Sequence, residues 1–294
     1  MDRSLIARIQ ALARPMEPLP SGESSRSEPL AGIRAVLFDV YGTLLISASG
    51  ELELTGEGNR AACLAEALRS LGIEPPATCS DATEWLSDEI RARHTASRSS
   101  GIDVPEVEIR SIWRNVWRKW RDVEPALPEE VDIEALAVEY EMRVNPVWTM
   151  PHADACLAQL AQRGITLGLI SNAQFFTPLV LAALLNGSPE ELGFTPELCL
   201  YSFEYGWAKP AGRLYELSRE RLQLRGISPQ EVLYVGNDMR NDVVPAARVG
   251  FHTALFAGDR RSLRWREQDP SVAGCRPDRV VVDLNEIPAS VLQL

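Results

Sequence analysis

The stretch AVLFDVYGTLL, residues 35–45, constrains this chain more than any other. An apolar run ends in an aspartate, and a glycine and a threonine follow within four residues. An unbroken apolar run reads as a strand buried on both faces of a parallel sheet. Open α/β sheets collect their ligands at the carboxyl ends of such strands. Asp39 therefore stands where a reactive carboxylate would be placed, although an aspartate at a strand end can also simply cap the following turn.

Five further runs repeat the strand pattern: ITLGLIS, ELCLYSF, EVLYVGN, TALFA and RVVVDL. Separated by helical stretches, they predict an α/β fold built on a doubly wound parallel sheet, with a Rossmann-like core. More than a hundred residues lie between the first two runs, and they carry helical patterns such as AACLAEALRSLG, ATEWLSDEIRARH, EVEIRSIWRNVWRKWRD and PEEVDIEALAVEYEM. A structureless loop of that length has no place in a compact domain, so the segment is predicted to be a helical cap above the sheet. The expected layout is a docking helix and flexible lead over residues 1–31, a core over 32–46 and 147–294, and a cap over 47–146.

Composition narrows the function. With 41 acidic against 30 basic residues the net charge is −11, which repels nucleic acid and anionic membrane surfaces. A small-molecule substrate is expected, with no nucleic-acid or membrane partner. The five cysteines are scattered, odd in number and without metal-ligand spacing, as in a reduced cytoplasmic protein. The N-terminal helix and the tryptophan-rich cap could each support a homodimer. In the cap segment IRSIWRNVWRKWRD, Ile109, Trp113, Val116, Trp117 and Trp120 form one helical face, and Arg110, Arg114, Arg118 and Arg121 another. The plain use of these faces is packing and solvation; the sharper one sets an arginine over the cleft. Arg260, Arg261, Arg264 and Arg266 form a second basic cluster after TALFA, expected at the same sheet edge as Asp39.

Four segments in order resemble the motifs of the haloacid dehalogenase-like hydrolase superfamily: DVYGTL, LISNA, YGWAKPAGRLYEL and YVGNDMRNDVVPAARVG. The resemblance covers roughly residues 33–46 and 148–285. It implies Asp39 as nucleophile, with Thr43, Ser171 and Lys209 completing the catalytic set. Tyr41, Asn172 and Tyr215 would meet the substrate. Asp39, Tyr41, Asp238 and Asp242 would form the seat of a Mg²⁺ ion, with Asn237 beside them. The chemistry suits these residue types: a carboxylate nucleophile divides a hard hydrolysis into two steps through a covalent ester, and an anionic transferred group needs positive charge and hydrogen-bond donors. Each residue also has a plainer use. Ser171 can cap a helix, Lys209 can be a solvated lysine before a turn proline, and Asp238 and Asp242 suit a helix N-terminus.

One departure divides the resemblance. Phosphatases of this superfamily carry a second aspartate two residues after the nucleophile, which protonates the leaving oxygen; this chain has Tyr41. A phenol with an ordinary pKa near 10 is a poor acid or base at neutral pH. The 2-haloacid dehalogenases of the superfamily have a tyrosine there, because a halide leaves without a proton, and another tyrosine six residues beyond the lysine, as Tyr215 is here. Against that, dehalogenases need no metal, and this chain keeps both Asp238 and Asp242. The expectation is a Mg²⁺-dependent phosphatase acting on a small, anionic phosphorylated metabolite. The alternatives are a 2-haloacid dehalogenase-type hydrolase and a ligand-binding protein with weakened catalysis.

Overall fold

The computed structural model describes residues 2–26, 30–48 and 57–292. Residues 49–56 of the expected cap and residues 27–29 of the lead lie outside the described residues.

The core sheet has six strands: β1 Ala35–Phe38, β4 Thr166–Ser171, β5 Phe194–Tyr201, β6 Val232–Gly236, β7 His252–Phe256 and β8 Arg279–Val281. All pair in parallel, in the spatial order β5-β4-β1-β6-β7-β8. Each of the six predicted runs is one of these strands. β1 is buried at every position, as a strand covered on both faces must be. It registers Ala35 against both Thr166 and Val232, and Phe38 against both Leu169 and Val235. The chain moves from β1 outward to β4 and β5, then returns to the other side of β1 for β6. Strand order therefore reverses at β1, and the crevice this opens is where such sheets hold ligands. Asp39 stands in that crevice, its N–H still bonded to the Val235 carbonyl at 2.9 Å.

Between β1 and β4 a short antiparallel ribbon, β2 Leu45–Ser47 with β3 Val147–Thr149, marks where the chain leaves the core and comes back. The excursion carries α2 Glu57–Ser70, α3 Cys79–Ser99, α4 Ile109–Val123 and α5 Ile133–Val144. In α4 the buried face is Ile112, Trp113, Val116, Trp117 and Trp120; Ile109 lies at its half-buried margin. Trp113 meets Tyr140 of α5 edge to face at 5.2 Å, and the Trp120 indole N–H donates to Thr78 Oγ1 at 2.8 Å. Arg114 and Arg118 point to solvent, whereas Arg110 is tied to Glu108 and Glu134 and lies 4.8 Å over the ring of Phe175.

Helix α1, Arg3–Leu12, is capped by the Asp2 carboxylate and buries Leu5 and Ile9 against α5 and against α7, Thr177–Leu185. One short helix thus touches both the insertion and the core, and Arg8 pairs with the buried Glu139 at 2.8 Å. The described part of the lead behind it makes specific contacts with the core. Leu19 exchanges hydrogen bonds with Asp259 and Arg260, the Trp265 indole donates to Glu23 at 2.8 Å, and Arg26 pairs with Val280. Among the described residues no helix is long and apolar enough to cross a membrane.

Truncating a large, fully buried aromatic costs about 3–5 kcal/mol. Trp113→Ala should accordingly lower the unfolding free energy by that amount, read as a fall in the urea midpoint at an unchanged slope, and a loss under about 1 kcal/mol, the size of a surface substitution, would contradict this packing of α4.

Candidate active site

Lys209 is the centre of the site. Its ammonium lies 2.7 Å from Asp39 Oδ1 and 2.6 Å from Asp242 Oδ1, with all three side chains nearly closed to solvent. Ser171 Oγ donates to Asp39 Oδ1 at 2.9 Å, so the four residues converge from the ends of β1, β4 and β6 and from the loop before α8, Arg213–Leu224. Burial by itself would lower the lysine's pKa; the two carboxylates overturn this and hold it above its ordinary value. Burial pushes the Asp242 carboxyl up, and Lys209 opposes that shift.

Each member is placed by neighbouring groups that hold it in position. Asn172 clasps the lysine backbone: its Oδ1 accepts from Lys209 N at 2.6 Å and its Nδ2 donates to the Lys209 carbonyl at 3.3 Å. Asp242 lies within a single π-turn, Met239–Val243, of the kind common at functional sites. Its carboxylate folds back over Gly236, where a Cβ would stand 2.4 Å from Asp242 Cγ. Tyr234 sets its hydroxyl 3.1 Å from Asp242 Oδ1, a contact the sequence reading missed because a tyrosine inside a strand looks like core. Gly42, at φ 87°, turns the chain after Asp39; a side chain there would strike Ser262 and Asn237.

Several predicted site residues are engaged elsewhere. Thr43 is fully buried and its hydroxyl donates to Asn237 Oδ1 at 3.1 Å, which braces the fourth motif. Tyr215 is closed to the opening, its hydroxyl donating to the Asn241 carbonyl at 2.7 Å and its ring edge-on to Tyr234 at 5.2 Å. Its spacing from the lysine serves packing. Asn172 acts on Lys209 first, though it also borders the cavity described below.

The expected cation seat is likewise not assembled. Tyr41 holds its phenol 2.9 Å from Thr177 Oγ1. Asp242 is taken by Lys209. Asp238 caps the π-turn through the amides of Arg240 and Asn241 and meets Arg266, with Nη2 2.7 Å and Nε 3.2 Å from its two oxygens. A divalent cation at Asp238 would face that guanidinium. Among the described residues no group of three His, Cys, Asp or Glu side chains is placed to hold a metal ion. The proposed ligands thus do not fit Mg²⁺ as they stand. Arg266 is the member of the basic cluster with a role at this edge, and it adopts φ 57° to fill it, a conformation uncommon outside glycine.

Comparison with known proteins places the chain in a family. The family model described as haloacid dehalogenase-like hydrolase matches residues 33–250. The chain belongs to the haloacid dehalogenase-like hydrolases. A ribulose-1,5-bisphosphate 5-phosphatase of Halopiger xanaduensis is 30% identical over 140 residues, 47% of this chain and 54% of that protein, so the match spans about half of that relative's length. A phosphoserine phosphatase of Thermus thermophilus is 30% identical over 188 residues, covering 62% of this chain and 68% of that one. In fold, the chain is similar to a 2-haloacid dehalogenase from Pseudomonas syringae pv. Tomato, with a TM-score of 0.52 at 20% identity over 88% of this chain and 97% of that one.

In this hydrolase a cavity of about 340 Å³ opens between the core and the inserted helices. Tyr41, Asn172 and Gln174 border it from the core, and Glu106, Glu141 and Asn145 from the insertion. Gln174 ties the two sides, donating to the Val107 carbonyl at 2.9 Å and accepting from Ile109 N at 3.0 Å. The segment before α4 also lies against the loop that carries Lys209: Ala208 N donates to the Val104 carbonyl and Glu106 N to that of Gly206. Burial raises the Tyr41 phenol well above its ordinary pKa, so it stays protonated and cannot act as a base near neutrality. The two cavity glutamates were not singled out in the sequence, where they look like polar positions of a cap.

Two measurements check this arrangement. Asn172→Ala should leave the fold intact and slow turnover by about 10- to 100-fold, because a misplaced reacting group costs on that order; an unchanged rate would show that Lys209 needs no such clasp. Arg266→Ala should release Asp238 and make thermal stability respond more strongly to added Mg²⁺ than in the wild type, as ligand binding to the native state requires. Equal responses would mean that Arg266 does not compete with a cation.

Proposed function

We propose that this hydrolase cleaves phosphate monoesters of small molecules through a covalent aspartyl-phosphate on Asp39. The observation that carries the reading is the buried Asp39–Lys209–Asp242 chain with Ser171 on the same nucleophile oxygen, set at the mouth of the sheet's crevice. The phosphatase names of the two relatives at 30% identity support it over the alternative.

In the first step a carboxylate oxygen of Asp39 forms a bond to phosphorus, the bond from phosphorus to the ester oxygen breaks, and the departing alkoxide takes a proton from water. Water then attacks the acyl phosphate, restoring the carboxylate and releasing phosphate. Lys209 and Ser171 offset charge on the transferred oxygens, which is where preorganised donors count most. Tyr41 offers little acid assistance, so esters with acidic leaving alcohols should be the faster substrates.

Tyr41 also favours a second reading. A carboxylate can displace halide from an alkyl carbon with no proton transfer to the leaving group, and the engagement of Asp238 by Arg266 suits a reaction that asks for no metal. Phosphate and halide release, each assayed with EDTA and with added Mg²⁺, separate the two. Asp39→Asn should lower phosphate release by at least about 10⁴-fold with the fold retained, as loss of a covalent nucleophile does. Acid-quenched wild-type protein should carry a phosphoryl group on the peptide containing Asp39. Halide release that persists in EDTA, with no phosphate from any ester, would replace the first reading by the second.

A further inference from the structure

The cavity that Tyr41 and Asn172 border next to the active site has two acidic residues in its wall. It begins at Tyr41, two residues beyond the nucleophile, and continues past Asn172 to Glu106 and Glu141; its described lining includes no lysine, arginine or histidine. The two acids differ in how they are held. Glu106 is closed: Oε2 accepts from Ser202 Oγ at 2.8 Å, and Oε1 from Val107 N at 2.9 Å and from Gln174 Nε2 at 3.3 Å. It binds the insertion to the core. Glu141, from α5, receives among the described residues a single long contact, 3.4 Å from Asn145 Nδ2 to Oε1. Burial pushes both carboxyls upward. A half-buried carboxylate in a cavity wall is costly without a charged partner, and among the described residues the cavity lining supplies amides, a phenol and a hydroxyl but no cation. An anionic leaving group would meet two acids here, whereas a cationic one would complete the site.

We propose that Glu141 is a specificity-determining residue and that the substrate's alcohol portion bears an ammonium group, making the substrate an amino-alcohol phosphate. The inference rests on the reading of Asp39 as the phosphoryl acceptor and refines the expectation of an anionic substrate. The phosphoryl end is anionic and faces Lys209; the other end is cationic and faces Glu141.

The test compares kcat/KM for O-phosphoethanolamine, ethyl phosphate and phosphoglycolate, with 4-nitrophenyl phosphate as an activated ester. The wild type should prefer phosphoethanolamine to ethyl phosphate by at least about tenfold, the scale of one charge-assisted contact. Glu141→Gln should bring that ratio close to unity, and Glu141→Lys should turn the preference toward phosphoglycolate. Circular dichroism checks both folds, and the isosteric Gln variant is read alone if the Lys variant is unfolded. A wild-type ratio at or below unity, or one that survives Glu141→Gln, overturns the proposal. If 4-nitrophenyl phosphate is cleaved without any ammonium preference, this inference fails and the phosphatase reading stands. If no ester releases phosphate, the phosphatase reading fails, and calorimetric titration of Asp39→Asn protein with phosphoethanolamine decides the inference by itself. Saturable binding that weakens at least tenfold in the Asp39→Asn/Glu141→Gln protein supports it, and no binding overturns it.

Discussion

A lysine ammonium held between two carboxylates, all three nearly out of water, is the contact on which the rest of this structure depends. Lys209 bridges Asp39 at the end of β1 to Asp242 beyond β6. Removing one partner of such a buried group strands a charge, at a cost of about 3–5 kcal/mol, so the fold must keep all three together. Much of the local architecture follows from that demand. Gly236 leaves space for the Asp242 carboxylate, the π-turn aims it, Tyr234 adds a hydroxyl, and Asn172 grips the lysine's own backbone. The reversal of strand order at β1 places these elements side by side.

The same economy accounts for residues that resemble catalysts but serve as braces. Thr43 and Asn237 lock the first motif to the fourth, and Asn237 passes the contact on to the Ser262 carbonyl at 2.6 Å. Asp238 and Arg266 fasten the loop after β7 beside the π-turn, where Met239 N also donates to the Arg264 carbonyl. A carboxylate satisfied by two amides and a guanidinium is a stable structural element, and that satisfaction is what keeps it from being an open metal ligand.

The inserted helices do more than cover the crevice. Gln174, Glu106 and Arg110 connect them to the core beside Asn172 and Phe175, and α1 fastens α5 to α7 from the far side. On the proposed reading, contacts to the leaving group belong to α5 and the segment before α4, and contacts to the transferred group to the strand ends. The two can vary independently, which is how one fold serves different reactions.

The sequence by itself determined the sheet, because six apolar runs separated by helical periodicity have no other economical burial, and it marked Asp39, Ser171, Lys209 and Asp242 as neighbours through their places at strand ends. It also announced the helical insertion by the length of the first crossover. Only the tertiary structure decided what each polar group touches. Whether Asp238 meets a cation or Arg266, whether Thr43 faces Asp39 or Asn237, and whether Tyr215 reaches the cavity or the Asn241 carbonyl all turn on contacts between residues far apart in the chain. Glu141 shows the limit most clearly. On a helix read for its period it is one acid among several, and its meaning comes from the wall it forms with groups of the core. Periodicity reports which face of an element is buried; the partner across that face is set by packing between elements that local sequence does not encode.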